Sequence, residues 1–209
     1  MTLLLLIRHA TTAATGRRLG GRTDASLDEN GREQAAACAK RLAEVPLKAI
    51  YSSPLPRTME TAQIVAEPHR LDITEATGAI EIDYGRWTDR ALGHVRRTKL
   101  WPVIQTTPSQ VTFPEGEGIR EMQHRTLAEL ERITAKHPKD AVALVSHADV
   151  IKAAVAGLIG MPLDLFQRLH VAPASVTVLE TAADRAATLW RFNDDGPVRV
   201  PRAKEQKTE

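Results

Sequence analysis

Two stretches of this chain carry an unbroken apolar run that ends in a histidine. Leu3-Leu4-Leu5-Leu6-Ile7 leads into Arg8-His9, and Ala141-Val142-Ala143-Leu144-Val145 leads into Ser146-His147. A strand wetted on one face alternates apolar and polar residues, so runs like these belong in a sheet covered on both faces. Helical periods separate them. Asp28 is placed to N-cap a helix that carries Ala35, Cys38, Ala39 and Leu42, and a strand is expected at about 48–52. Ser53-Pro54 then offers a cap and a first-turn proline to a helix with Ala62, Ile64 and Val65 on its buried side. Residues 117–136 hold the longest amphipathic pattern, a helical stretch runs from His147 to near Gly160, and strands are expected at 175–180 and 186–192. The pattern predicts an α/β fold with a mainly parallel central sheet and helices on both faces.

The rhythm breaks at residues 83–118, rich in Gly, Pro and charge, which read as a small lid inserted into a single domain spanning 1–196. Residues 197–209 read as a flexible tail. A chain of 209 residues can bury a sizeable core without staples. The single cysteine, Cys38, allows neither an internal disulfide nor a cysteine zinc site and fits a reducing cytoplasm. A formal charge of +2 is too small to argue for nucleic acid. The leucine run has no basic residues before it and no cleavage site after it, so it is not read as a signal peptide, and no stretch has the length of a membrane span. Neither nucleic acid nor membrane is expected as a partner, and a homodimer is compatible with the sequence.

In an open α/β sheet, ligands gather outside the carboxyl ends of the strands. His9 and His147 would face one another there if their strands are neighbours, although either histidine taken alone reads first as a hydrogen-bonded residue at a strand end. Arg57 falls in the first turn of the helix after the second strand, where its guanidinium and the helix N-terminus can both serve a phosphate. Glu81 follows Ala79-Ile80 and precedes Asp83-Tyr84-Gly85-Arg86-Trp87. A surface ion pair is its alternative role.

These residues resemble, in order, the motifs of the histidine phosphatase superfamily, also called the phosphoglycerate mutase-like family. Its opening Arg-His-Gly is similar to Arg8-His9-Ala10, and its Ser-x-x-x-Arg-x-x-x-Thr-Ala to Ser53, Arg57, Thr61 and Ala62. Its acid before an aromatic-Gly-x-Trp element resembles Glu81 before Tyr84-Gly85-Arg86-Trp87, and its late Ser-His-Ala is Ser146-His147-Ala148. Departures fall at Ala10, at Thr15 where the family commonly has a phosphate-contacting Asn, and at Gly20-Gly21 where it has Gln-Gly. The resemblance implies a catalytic set of Arg8, His9, Arg57, Glu81 and His147. Arg18, Gly21, Thr15 and Ala148 would join Arg8, Arg57 and His147 around the substrate.

The chemistry implied is phosphomonoester hydrolysis through a phosphohistidine, without metal or other cofactor, on a small phosphorylated molecule. His9 would attack phosphorus, Arg8, Arg57 and His147 would stabilise the charge, and Glu81 would act as acid and then base. A phosphomutase is the first alternative. A non-catalytic phospho-ligand binder is another. A P-loop NTPase is a third, because Gly16-Arg17-Arg18-Leu19-Gly20-Gly21-Arg22-Thr23 almost spells that motif, but a P-loop leaves a strand directly and enters a helix. Arg17, Arg18 and Arg22 otherwise read as rim contacts to an anion or as a solvated loop. His69, His94, His124, His137 and His170 have no zinc-site spacing.

Overall fold

The two apolar runs lie side by side. β1 (Thr2–Arg8) and β4 (Ala141–Ser146) pair in parallel, with Ile7 opposite Val145 and Arg8 opposite Ser146, in a computed structural model that describes residues 1–182 and 185–196. The tail expected at 197–209 lies outside the described residues.

Between these strands come α1 (Glu29–Leu42), β2 (Leu47–Ser52), α2 (Pro56–Ala66) and β3 (Ile73–Glu75), then the short helices α3 (Leu92–Val95) and α4 (Leu100–Thr106), and α5 (Ile119–Lys136). After β4 follow α6 (Ala148–Leu158), β5 (Val176–Ala182) and β6 (Arg185–Asp194). The sheet order is β3-β2-β4-β1-β5-β6, parallel from β3 to β1, with β5 and β6 antiparallel. The short edge strand β3 has no counterpart in the sequence reading, because its three residues carry no usable period.

The apolar runs are uninterrupted because successive residues feed opposite cores. Leu5 and Ile7 pack with Ala35, Cys38 and Leu42 of α1 and with Ala62 and Val65 of α2. Leu4 and Leu6 pack on the other face with Leu130 and Ile133 of α5 and Ile151 and Val155 of α6. Asp28 accepts from the Gly31 amide at 2.7 Å as the N-cap of α1. Gly31 is required there, since a Cβ would lie 2.2 Å from the Thr11 carbonyl oxygen in the loop that leaves β1.

Two local expectations change. The second helix starts at Pro56 with Leu55 as its N-cap, so Ser53 is not the cap. Its amide instead continues the parallel ladder to the Val145 carbonyl at 3.0 Å, which turns its hydroxyl toward the strand ends. The segment 83–118 is no open loop. Tyr84, Ile104, Val111 and Phe113 build a third core with Ile119, Met122 and Phe166, so apolar residues scattered without a period still find one another. Among the described residues, no helix is long and apolar enough to cross a membrane.

Candidate active site

The ladder carries its order one residue past the strand ends. The His9 amide donates to the Ser146 carbonyl at 2.9 Å, and the two imidazoles meet edge to face with ring centroids 5.2 Å apart. His9 Nδ1 lies 2.7 Å from its neighbour's carbonyl, Ala10 O. A carbonyl only accepts, so Nδ1 holds the hydrogen and Nε2 presents its lone pair. Burial first, and then the charges of Arg57 and Arg8, hold the His9 pKa well below the usual histidine value.

Arg57, in the first turn of α2, is buried with 3 % exposure and touches both histidines. Its Nε donates to His9 Nε2 at 3.3 Å and its Nη2 lies 3.2 Å from His147 Nδ1. Carbonyls hold the rest of the fork, Gly21 O at 2.7 Å and Thr23 O at 3.0 Å. Gly21 adopts a positive φ of 52° to turn its carbonyl inward, a conformation that suits glycine. Arg8 donates from Nη1 to Val171 O at 2.6 Å, while its buried Nε has no hydrogen-bond partner among the described residues. A buried guanidinium N–H calls for an acceptor.

His147 is fully buried, and its Nε2 is 2.8 Å from Ser53 Oγ, the hydroxyl released from capping duty. Burial, then Arg57, His9 and Arg8, depress its pKa. Glu81 Oε2 stands 3.9 Å from His147 Nδ1, and Oε1 accepts from the Ile82 amide at 3.0 Å. Burial and the neighbouring Asp149 raise the Glu81 pKa to about 7, against the opposing pull of Arg57 and Arg8. Glu81 is therefore no surface ion pair, and its carboxyl changes protonation near neutrality.

A cavity of about 250 Å³ opens over this cluster, lined by Arg8, His9, Arg57 and Glu81 together with Thr15, Arg18, Gly21 and Ala148. All nine candidates are thus in or against one site, but they do different things. The Thr15 hydroxyl accepts from the Thr12 amide at 2.9 Å and shapes the turn after β1. Arg18 is committed to Asp89, with 2.7 and 3.1 Å bonds to its two carboxylate oxygens. Arg22 is exposed and does not line the cavity, but it is not free in solvent. It donates from Nε to the Glu81 carbonyl at 3.1 Å and from Nη2 to Glu117 at 3.3 Å. The same loop is no P-loop, since β1 ends at Arg8 and the next helix begins only at Glu29.

Several supporting contacts escaped the sequence reading. Arg125 of α5 donates to the Glu81 carbonyl at 3.2 Å and to Glu117 at 2.8 Å, so Glu117 anchors both arginines that hold the Glu81 backbone. Asp149, in the first turn of α6, accepts from Tyr84 Oη at 2.9 Å and pairs with Lys152 at 2.6 Å. The spacing of Asp149 and Lys152 on one helix was the available signal, but it reads as an ordinary surface pair until α6 is seen to be buried.

A family model described as histidine phosphatase superfamily (branch 1) matches residues 4–195. The chain belongs to this superfamily. It is 32 % identical over 196 residues to phosphoserine phosphatase 1 of Hydrogenobacter thermophilus, covering 90 % of this chain and 91 % of that one. It is 28 % identical over 202 residues to a probable phosphoglycerate mutase GpmB of Proteus mirabilis, covering 88 % and 94 % respectively. The solved structure of Bacillus stearothermophilus YhfR superposes with a TM-score of 0.87 at 29 % identity, over 93 % of this chain and 98 % of that one. The histidine phosphatase fold accounts for the mainly parallel sheet.

Proposed function

We propose that the protein hydrolyses phosphomonoesters of small molecules through a phosphohistidine on His9, with no metal in the reaction. The observation that carries the reading is the His9 ring itself, with Nδ1 held by Ala10 O at 2.7 Å and Nε2 turned to Arg57 in a cavity that also holds Arg8 and Glu81. Arg8 and Arg57 take the non-bridging oxygens, and the dianion's charge offsets the burial and the neighbouring cations that keep His147 neutral, so His147 can gain a proton and donate. Nε2 attacks phosphorus as the ester P–O bond breaks, and Glu81 gives its proton to the leaving oxygen. Water then attacks the phosphohistidine, its proton passes to the Glu81 carboxylate, the P–N bond breaks, and phosphate leaves. Residues 83–118 act as a lid over this site within one domain. A cytoplasmic setting suits the one cysteine, Cys38, which is buried and whose pKa burial raises to about 11.

The test uses labelled phosphomonoester with a chelator present. Acid-labile, base-stable label is expected on the wild type and not on His9→Ala, with release of free phosphate. Label that persists in His9→Ala overturns the assignment. The GpmB likeness favours a second reading, transfer of the phosphoryl group to another hydroxyl. Phosphorus NMR with 3-phosphoglycerate and a trace of bisphosphoglycerate separates the two, because a mutase yields 2-phosphoglycerate with little phosphate.

A further inference from the structure

A second cavity, of about 190 Å³, adjoins the anion site, and Leu19, Tyr84 and Asp149 line both. Its remaining walls are mostly hydrocarbon, above all Trp87, Trp101 and Phe113. These come from the segment that covers the anion site. The aromatic rings brace one another edge to face, Tyr84 against Phe113 at 4.9 Å and Trp87 against Phe113 at 5.6 Å, which keeps the wall from collapsing inward. An apolar cavity of about 150 Å³ is enough to hold benzene, so this one accommodates a six-membered ring.

The charge on the shared wall is already matched. Asp149 takes Lys152 at 2.6 Å on one oxygen and the Tyr84 hydroxyl at 2.9 Å on the other. It presents no uncompensated carboxylate to select an ammonium group on the substrate. The anion site and the apolar cavity together read as two subsites, one for the phosphate and one for the alcohol. We propose that the preferred substrates are phosphomonoesters whose alcohol carries an aromatic ring or a branched hydrocarbon of similar size, seated between Trp87, Trp101 and Phe113. This rests on the phosphatase reading above.

The closing experiment has a binding arm and a turnover arm. Calorimetry on the intact protein compares 3-phenylpropylphosphonate with propylphosphonate, which share the anion and differ by the ring. The ring is expected to tighten binding by about tenfold. Turnover compares 2-phenylethyl phosphate with ethyl phosphate and O-phosphoserine, and kcat/KM should favour the phenylethyl ester by a similar factor. Trp101→Ala should reduce both ring preferences to less than twofold. Should that variant not fold, the wild-type phosphonate pair decides alone. Equal affinity for the two phosphonates, or a preference for O-phosphoserine, overturns the proposal. Hydrolysis of every ester without a ring preference defeats only this inference, whereas ring-dependent phosphonate binding with no hydrolysis defeats only the phosphatase reading.

Discussion

Arg57 Nε donates to His9 Nε2 at 3.3 Å, so a guanidinium from α2 sits on the lone pair of an imidazole from β1. The same side chain reaches His147 Nδ1 at 3.2 Å and is clamped by the Gly21 and Thr23 carbonyls. Its position is therefore set before substrate arrives, and its charge adds to burial, the larger cause, in keeping both rings neutral. Preorganised positive charge of this kind lowers the barrier because nothing must reorient as the transition state forms.

Arg57→Ala should lower kcat/KM by about 10²–10³, the usual cost of one preorganised donor. Arg57→Lys restores the charge but not the planar fork, so it should recover only part of that loss. Initial rates with para-nitrophenyl phosphate, together with inhibition by inorganic phosphate, measure both. Wild-type rates in Arg57→Lys would show that charge alone suffices.

The pH profile follows from two opposite shifts. Depression of the His9 pKa means the nucleophile is already neutral below the ordinary histidine range, so no acidic limb is expected near 6.5. The general acid must be protonated, and Glu81 loses its proton at about 7, so kcat/KM for alkyl esters should fall as pH rises through that value. Glu81→Gln should abolish this limb and slow alkyl esters by about 10²–10⁴ while slowing para-nitrophenyl phosphate far less. A limb that persists in Glu81→Gln would assign the proton elsewhere.

Much of this was legible in the residues, for a physical reason. Strand β1 is buried on both faces, so its run is uniformly apolar, and His9 had to lie at its carboxyl end. Arg57 and Glu81 were legible through the order of motifs. What supports them was not. Arg22, from the loop before α1, and Arg125, from α5, both donate to the Glu81 carbonyl and are both held by Glu117, and no period or spacing in the chain foretells that meeting. Ser53 was read as a helix cap because Ser-Pro usually starts a helix, whereas the β2 ladder extends through it and hands its hydroxyl to His147.

Asp149 tunes the general acid without touching it in the hydrogen-bond network. Its negative charge is the second cause, after burial, of the raised Glu81 pKa. Asp149→Asn should therefore move the basic limb to lower pH, whereas Tyr84→Phe, which leaves the Asp149 charge in place, should leave the limb where it is. Profiles of kcat/KM with one alkyl ester check the pair. An unmoved limb in Asp149→Asn would remove Asp149 from this role.

The same carboxyl also makes stability depend on pH. Glu81 titrates at about 7 in the folded protein against 4.5 as the ordinary value, so the folded state binds the proton more tightly. Its contribution to stability is complete below 4.5 and is lost as pH rises to about 7. His9 and His147 have the opposite sign, since their depressed pKa values favour the folded state above 6.5 and cost stability as pH falls below it. Glu81→Gln carries a permanent analogue of the protonated acid and leaves the histidines in place, which isolates the Glu81 contribution. The variant should match the wild type near pH 4.5 and exceed it by about 2–3 kcal/mol near pH 8, read from urea unfolding at each pH. A constant difference across that window would mean that Glu81 titrates alike in the folded and unfolded chains, and its role as an acid poised near neutrality would fall with it.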